Sequence, residues 1–156
     1  MKTETITIVL PLPPQCLSPN RTHATRGGRF KKVAASKKYR KQAREASIEQ
    51  QIADTPWAFA SVRATFFHKQ NRRRDDVNHL AMLKPAYDGI VDAGLLLDDD
   101  ANHLQTLPPR FKIDKKTSRV ELTLTKERPC SVCGEKIETC MGGTCYSCDD
   151  LMGGRG

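Results

Sequence analysis

Alternation of apolar and polar side chains marks four stretches of the chain as β-strands. Residues 4–10, ETITIVL, alternate as far as Pro11, and residues 57–68, WAFASVRATFFH, are rich in β-branched and aromatic side chains. Two further stretches, 102–113 and 118–126, are joined through the turn sequence DKKTS, and the second contains the regular alternation RVELTLT. The pattern therefore predicts strands at these four places.

Helical spacing of apolar residues occupies two of the intervals between these strands. Residues 36–53 are good helix formers behind Ser36, a candidate N-cap, whereas the prolines and glycines of the preceding PLPPQCLSPNRTHATRGGR stretch predict a loop. The second helix begins at Asp75 or Asp76 and ends before Gly94, which suits the position after a last helical turn. The apolar side chains that gather on one side of it are Val77, Leu80, Leu83, Tyr87, Ile90 and Val91.

The order β-α-β-α-β-β predicts an α+β fold, with helices packed on a mixed sheet, over residues 1–128. Residues 129–156 differ in composition and form a second, Cys-rich unit. The 156 residues, 38% of them apolar, suffice for one core. Since no apolar stretch is long enough to cross a bilayer and the start MKTETITIVLPLPP lacks signal-peptide features, we expect no membrane partner and a cytoplasmic protein.

Positive charge is concentrated in the larger unit. The chain has a net charge of +8, with 24 basic and 14 acidic residues in 1–128, against two basic and four acidic residues in 129–156. Ten of the basic residues form a run without an intervening acid, which predicts a phosphate-binding surface, although a solvated helix face and loop would also explain it. The run consists of Arg21, Arg26, Arg29, Lys31, Lys32, Lys37, Lys38, Arg40, Lys41 and Arg44.

Carboxylates flank the second predicted helix in this basic unit. Asp75 and Asp76 stand at its start, behind Arg72–Arg74, and Asp98–Asp100 follow its end. Magnesium takes such hard oxygen ligands, and it can activate water against a phosphodiester. A straight helix of 18 residues is about 27 Å long, so the two groups share one metal only if the loop folds back or a partner subunit supplies it. The alternative is that these acids are a helix cap and a turn.

Lys84 and the histidines are each open to two interpretations. Lys84 lies at the edge of the apolar stripe, where it either stabilises charge on a phosphate or extends from the core with Asp88 as its i,i+4 partner. His23, His68, His79 and His103 lack a ligand spacing, which favours ordinary surface histidines. Of these, His79 and His103 are the two that would lie near the acidic residues.

The segment RRRDDVNHLAMLKPAYDGIVDAGLLLDDD resembles the active-site motif of the RusA family of Holliday-junction resolvases. The PLPP stretch followed by SPNR, a basic glycine-containing loop and a Lys/Arg-rich helix is similar to the N-terminal half of that family. The resemblance covers about residues 4–127. The chain departs from the family pattern at Val77, where the family has an aspartate, and Asp76, Asp98 or Asp100 could take its place.

The resemblance implies a Mg²⁺-dependent homodimer that nicks paired strands of a four-way junction in DNA recombination and repair. Asp75 and Asp99 match the catalytic aspartates, Lys84 matches the catalytic lysine, and Asn78 matches the asparagine of the motif. Asp75, Asp76 and Asp99 would then hold Mg²⁺, and Lys84 would stabilise the transition state. The residues expected to bind the DNA backbone are Arg72, Arg73, Arg74, Arg21, Arg29, Lys31, Lys32, Lys37 and Lys38.

Five of the six cysteines lie in the tail. Cys130 and Cys133 form one C-x2-C pair and Cys145 and Cys148 another, a pattern typical of a structural zinc knuckle or ribbon with four thiolate ligands. Cys140 lacks this spacing and is either a substitute ligand or uncoordinated. A redox or disulfide role for the tail is the alternative to zinc.

Three classes of function are therefore open. The resemblance favours a structure-selective endonuclease. A non-catalytic, zinc-containing DNA-binding protein would use the basic run and the tail, with the acids as caps. A zinc-stabilised scaffold that binds protein would show no DNA affinity at moderate salt.

Overall fold

The computed structural model describes residues 4–21, 24–50 and 56–127. Four strands and three α-helices make up this part of the chain, with a short 3-10 helix at Gln15–Leu17. The elements are β1 Thr5–Leu10, α1 Arg26–Gln50, β2 Ala60–His68, α2 Asp76–Ala81, α3 Lys84–Asp92, β3 Leu104–Ile113 and β4 Arg119–Lys126.

The four strands form one mixed sheet in the order β1-β4-β2-β3. β4 lies antiparallel between β1 and β2, and β3 runs parallel to β2 at the opposite edge from β1. Alternation puts Ile8, Leu122 and Ala64 in one row across three strands, and all three are fully buried. The predicted α+β class and its mixed sheet are confirmed.

Helices α1 and α3 pack against each other and share one core with the sheet. They are in close contact at Gly89, where a Cβ atom would lie 2.3 Å from the backbone oxygen of Arg40. Tyr39 ties α1 to the end of β1, because its buried hydroxyl donates a hydrogen bond of 2.8 Å to the carbonyl oxygen of Pro11. The crossing therefore requires a glycine on α3.

Helix α1 begins at Arg26, so the predicted loop is wrong over its last four residues, 26–29, and the predicted N-cap at Ser36 is wrong. Thr25 provides the cap instead, since its Oγ1 accepts a hydrogen bond from the backbone N–H of Gly28 at 3.1 Å. The two glycines in the first turn weaken a helix by about 1 kcal/mol each, which is too little to stop one that is capped and continued by good helix formers.

The second predicted helix is divided in two, which corrects the prediction of one straight rod. Met82 and Leu83 form a turn between α2 and α3. Pro85, at the start of α3, has no N–H to donate to the carbonyl of residue 81, so a continuous helix would lose a hydrogen bond there. Val77 was also misplaced, because its side chain is 75% exposed rather than part of the apolar face.

The chain reverses sharply after α3, as Gly94 predicted. Gly94 has a φ of 79°, its N–H donates to the carbonyl of Val91, and the N–H of Leu95 donates to the carbonyl of Ile90. These two bonds form a Schellman motif, in which a residue in the left-handed region closes the helix. Residues 95–97 then run beside Trp57, held by its backbone N–H and C=O. The acidic loop 98–100 is thereby brought back toward α3.

Strand β3 forms one edge of the sheet and contains two consecutive prolines. Its register with β2 shifts between the pair Arg63 and Leu107 and the pair Thr65 and Arg110, so Pro108 and Pro109 lie in a bulge. Proline has no N–H to donate, which is why it is tolerated at an edge and not in a central strand.

Among residues 4–21, 24–50 and 56–127, no helix has the length and apolar content needed to cross a bilayer. The Cys-rich tail and its four predicted zinc ligands lie outside the described residues. The division into units 1–128 and 129–156 stays a prediction.

Candidate metal and phosphate site

Asp75 caps the N-terminus of α2. Its carboxylate accepts hydrogen bonds from the backbone N–H of Asn78 at 3.1 Å and from Asn78 Nδ2 at 2.8 Å. The motif asparagine therefore orients the motif aspartate directly. Asp75, Asp76 and the neighbouring Val77 are all exposed, so this end of α2 faces solvent.

His79 anchors the same helix to the sheet. Its Nδ1 lies 2.8 Å from the backbone oxygen of Asp75, and its ring packs edge-on against Phe66 and Phe111 with centroids 5.1 Å away. His68 adds a further edge contact at 5.7 Å. His79 thus lies next to the predicted site, although its contacts are those of a packing residue.

Lys84 is the first residue of α3, and it joins the acidic loop to that helix. Its ammonium group contacts the carboxylate of Asp99 and lies 3.1 Å from that of Asp88. Partial burial lowers the pKa of Lys84, but the hydrogen bonds to Asp99 and Asp88 outweigh this and raise it. Asp99 is the more enclosed partner, with a side chain only 12% exposed. The pair with Asp88 is the one that the structural interpretation of Lys84 expected, and a role of Lys84 toward a phosphate stays a prediction.

Three other side chains of the same loop form a possible metal-binding group. Ligand atoms of Asp98, Asp100 and His103 all lie within 4.8 Å of one another. His103 Nδ1 is 2.5 Å from Asp100 Oδ1, and this contact, with the backbone N–H groups of Asn102 and His103, lowers the pKa of Asp100. It is the only group of three or more such ligands within the described residues.

The predicted ligands are brought closer than a straight helix would allow, without forming one cluster. The acidic loop returns to the start of α3, so Asp99 meets Lys84 rather than lying a full helix length from Asp75. Asp75 caps α2 and Lys84 begins α3, so the turn at Met82 and Leu83 still separates the two acidic groups. Among the described residues, no hydrogen bond or ion pair joins Asp75 or Asp76 to Asp98–Asp100.

Arg40 belongs to the predicted phosphate-binding run, but in the structure its side chain pairs with carboxylates of α3. Its guanidinium forms two hydrogen bonds to Asp92, of 2.5 and 2.7 Å, and lies 4.0 Å from Asp88. The bond to Asp92 raises the pKa of Arg40 and lowers that of Asp92. This bidentate pair links α1 to α3 across 52 residues, so no local sequence signal reveals it.

The other predicted DNA-binding residues lie on two surfaces. Arg29, Lys31, Lys32, Lys37 and Lys38 belong to α1, Arg21 follows the 3-10 helix, and all are at least partly exposed. Arg72, Arg73 and Arg74 precede α2, where partial burial and the charge of Arg72 lower the pKa of Arg74. Crowded cations of this kind are stabilised by a bound anion.

The sequence favoured an ordinary surface histidine at position 103 while placing it near the acidic residues, and one signal of its contact with Asp100 was present. His103 stands three residues after Asp100, the spacing at which a turn brings a carboxylate and an imidazole together.

The chain matches no protein-family model, and a search of curated proteins finds no similar sequence. The geometry and the motif resemblance are therefore the basis for any function.

Proposed function

We propose that the protein is a Mg²⁺-dependent endonuclease that acts on branched DNA, in the manner of a Holliday-junction resolvase, in recombination and repair. The observation that carries the proposal is the contact between Lys84 and Asp99. It places a cation beside the most enclosed carboxylate of the acidic loop, on a protein whose basic residues attract a polyanion.

The donor chemistry fits magnesium. Asp75, Asp76 and Asp99 offer the hard carboxylate oxygens that Mg²⁺ prefers, and Asp98 and Asp100 supply more. Asp98, Asp100 and His103, whose ligand atoms lie within 4.8 Å of one another, form a separate group, and its imidazole nitrogen is a softer donor than Mg²⁺ prefers. When bound, Mg²⁺ lowers the pKa of the attacking water and stabilises the leaving oxygen.

Other residues of the chain would stabilise charge, orient Asp75 and bind the DNA backbone. Lys84 stabilises negative charge that develops on the phosphorus-bound oxygens. Asn78 holds Asp75 in one orientation through its two hydrogen bonds. Arg72–Arg74 and the lysines of α1 bind backbone phosphates and position the strand.

A homodimer is part of the proposal, because a four-way junction presents strands in symmetric pairs. A partner subunit would complete the ligand set, since no hydrogen bond or ion pair joins Asp75 to Asp98–Asp100 within the described residues. Zn²⁺ bound by Cys130, Cys133, Cys145 and Cys148 would stabilise the tail, and we expect the protein in the cytoplasm.

A non-catalytic DNA-binding protein is the second candidate. Asp75 already caps a helix, and Lys84 already neutralises Asp99, so both acids have a structural role without metal. This candidate binds DNA and cuts nothing.

Cleavage of a synthetic four-way junction under Mg²⁺ titration distinguishes the two. We expect wild-type protein to cut only with Mg²⁺ or Mn²⁺, and Asp75→Asn and Asp99→Asn to lose at least about a hundred-fold in rate while still binding the junction in Ca²⁺. Each change removes a charge without altering the shape of the side chain.

Asp114→Asn makes the same chemical change in the turn between β3 and β4, where it loses an ion pair with Arg119 and its amide oxygen can still accept both backbone hydrogen bonds that Asp114 receives. Its cleavage rate should equal that of the wild type. Full cleavage by both Asp75→Asn and Asp99→Asn would refute the assignment of these aspartates to the catalytic site, and binding without any cleavage by the wild type would favour the second candidate.

A further inference from the structure

The first nine residues of α1, 26–34, are called the basic arm below. None of their side chains is buried, and none of the apolar ones packs against the core of the described residues. Tyr39 is the first buried residue of the helix. Nine residues of helix extend about 13 Å, so the basic arm presents about two and a half turns to solvent.

Two large apolar side chains stand exposed on this arm. Phe30 is 63% exposed and Val33 is 52% exposed, three residues apart on the same side of the helix. The guanidinium carbon of Arg26 lies 5.7 Å from the centroid of the Phe30 ring. An exposed aromatic ring among cations is a candidate binding surface, because a partner that covered it would remove apolar surface from water, which is favourable.

Charge identifies the class of partner. No acidic residue interrupts the chain from Arg21 to Arg44, so pairing two basic arms would bring like charges together. A nucleic acid offers phosphates to the cations and flat base faces to the ring, which matches both features of the arm.

We propose that Phe30 stacks on a base at the branch point of a DNA junction and so distinguishes branched from linear DNA. In a linear duplex each base is already stacked on its neighbours, whereas bases at a branch point are more easily unstacked and can accept an aromatic ring. Lys31 and Lys32 contact phosphates in either substrate. The inference rests on the proposed function, of which it specifies the substrate contact.

Binding measurements in Ca²⁺ test it without any need for cleavage. The probes are a four-way junction with 2-aminopurine at the branch point and a linear duplex of equal length, at one fixed ionic strength. We expect Phe30→Ala to weaken junction binding about five-fold or more and to change duplex binding by less than about two-fold. Phe30→Ala should also abolish the change in 2-aminopurine fluorescence on binding. Phe30→Trp should restore both the junction affinity and this fluorescence change.

Val33→Ala is the matched control on the same face of the arm, and it should leave the junction preference intact. An equal loss for both DNAs, or no loss for either, would overturn the proposal. Loss of a dimer in sedimentation velocity with Phe30→Ala would assign the ring to a second copy instead. A wild type that shows the Phe30-dependent preference and cuts no junction in Mg²⁺ would keep this inference and refute the nuclease.

Discussion

His68 is a titratable side chain that lies among aromatic rings at the end of β2. Its ring stacks near Phe66 and Phe111, and its Nε2 atom has no hydrogen-bond partner within the described residues. Burial, with smaller effects from the charges of Arg74 and His79, lowers the pKa of His68 to about 4. The folded protein therefore keeps this imidazole neutral.

Stability should depend on pH through His68. Between the unfolded value near 6.5 and the folded value of about 4, the unfolded chain binds a proton that the folded one does not, so stability falls as pH falls through this window. Allowing for solvent screening of a partly exposed ring, we expect a loss of about 1 kcal/mol. Urea unfolding at pH 7 and pH 4.5 measures it, and His68→Phe should reduce the difference. An unchanged difference in that variant would contradict the assignment.

Lys84 acts as an internal counter-ion to Asp99, so it should compete with a metal for that carboxylate. We expect Lys84→Met to abolish junction cleavage and yet to bind Mn²⁺ about five-fold more tightly, the effect of removing about 1 kcal/mol of competing charge interaction. Isothermal titration calorimetry measures the affinity. Lys126→Met, which breaks an exposed pair with Glu4 outside the proposed DNA-binding residues, serves as the control and should change neither quantity. Equal Mn²⁺ affinity in Lys84→Met and wild type would show that the metal does not use Asp99.

At the scale of elements, the crossing of α1 and α3 fixes where the site lies. Gly89 allows the two helices to touch, and the pair between Arg40 and Asp92 holds them on the side that faces Lys84. The Lys84 end of α3 is thereby set relative to the basic helix α1.

Gly89→Ala should destabilise this crossing. The added Cβ would lie 2.3 Å from the Arg40 backbone oxygen and 2.9 Å from the Ala43 side chain, so the helices must separate at a cost of about 2 kcal/mol. Gly27→Ala makes the same change on α1 with nothing within 4 Å, and it should be neutral or stabilise by up to about 1 kcal/mol. Urea unfolding compares the two, and equal stabilities would contradict the close approach.

The strands were predictable from the sequence because alternation reports burial on one face of the sheet. RVELTLT and ETITIVL gave β4 and β1 within a residue or two. The helix boundaries were not predictable in the same way. Gly27 and Gly28 favoured a loop, whereas the start of α1 depends on one hydrogen bond, from the backbone N–H of Gly28 to the Thr25 side chain. The contact between Lys84 and Asp99 depends on how the loop after Gly94 packs beside Trp57, which no local pattern encodes.

For the whole molecule, the concentration of positive charge in residues 1–128 should determine how DNA affinity responds to salt. Lys31 and Lys32 are adjacent on the basic arm, and removing one lysine–phosphate ion pair should reduce the slope of log K against log salt by about 0.9. Filter binding of Lys31→Gln/Lys32→Gln should therefore show a slope lower by about 2, on junction and duplex alike. Lys115→Gln/Lys116→Gln in the turn between β3 and β4 is the control. Equal slopes for both double variants would exclude the arm from phosphate binding.

The prolines of β3 limit how two subunits can assemble. Pro108 and Pro109 interrupt the hydrogen-bonding edge of that strand, so a second copy cannot extend the sheet continuously along β3. Strand-to-strand assembly is thereby restricted to the β1 edge, and any other pairing must use side-chain surfaces. Pro108 and Pro109 also protect the β3 edge of an isolated subunit from pairing with strands of other chains during folding.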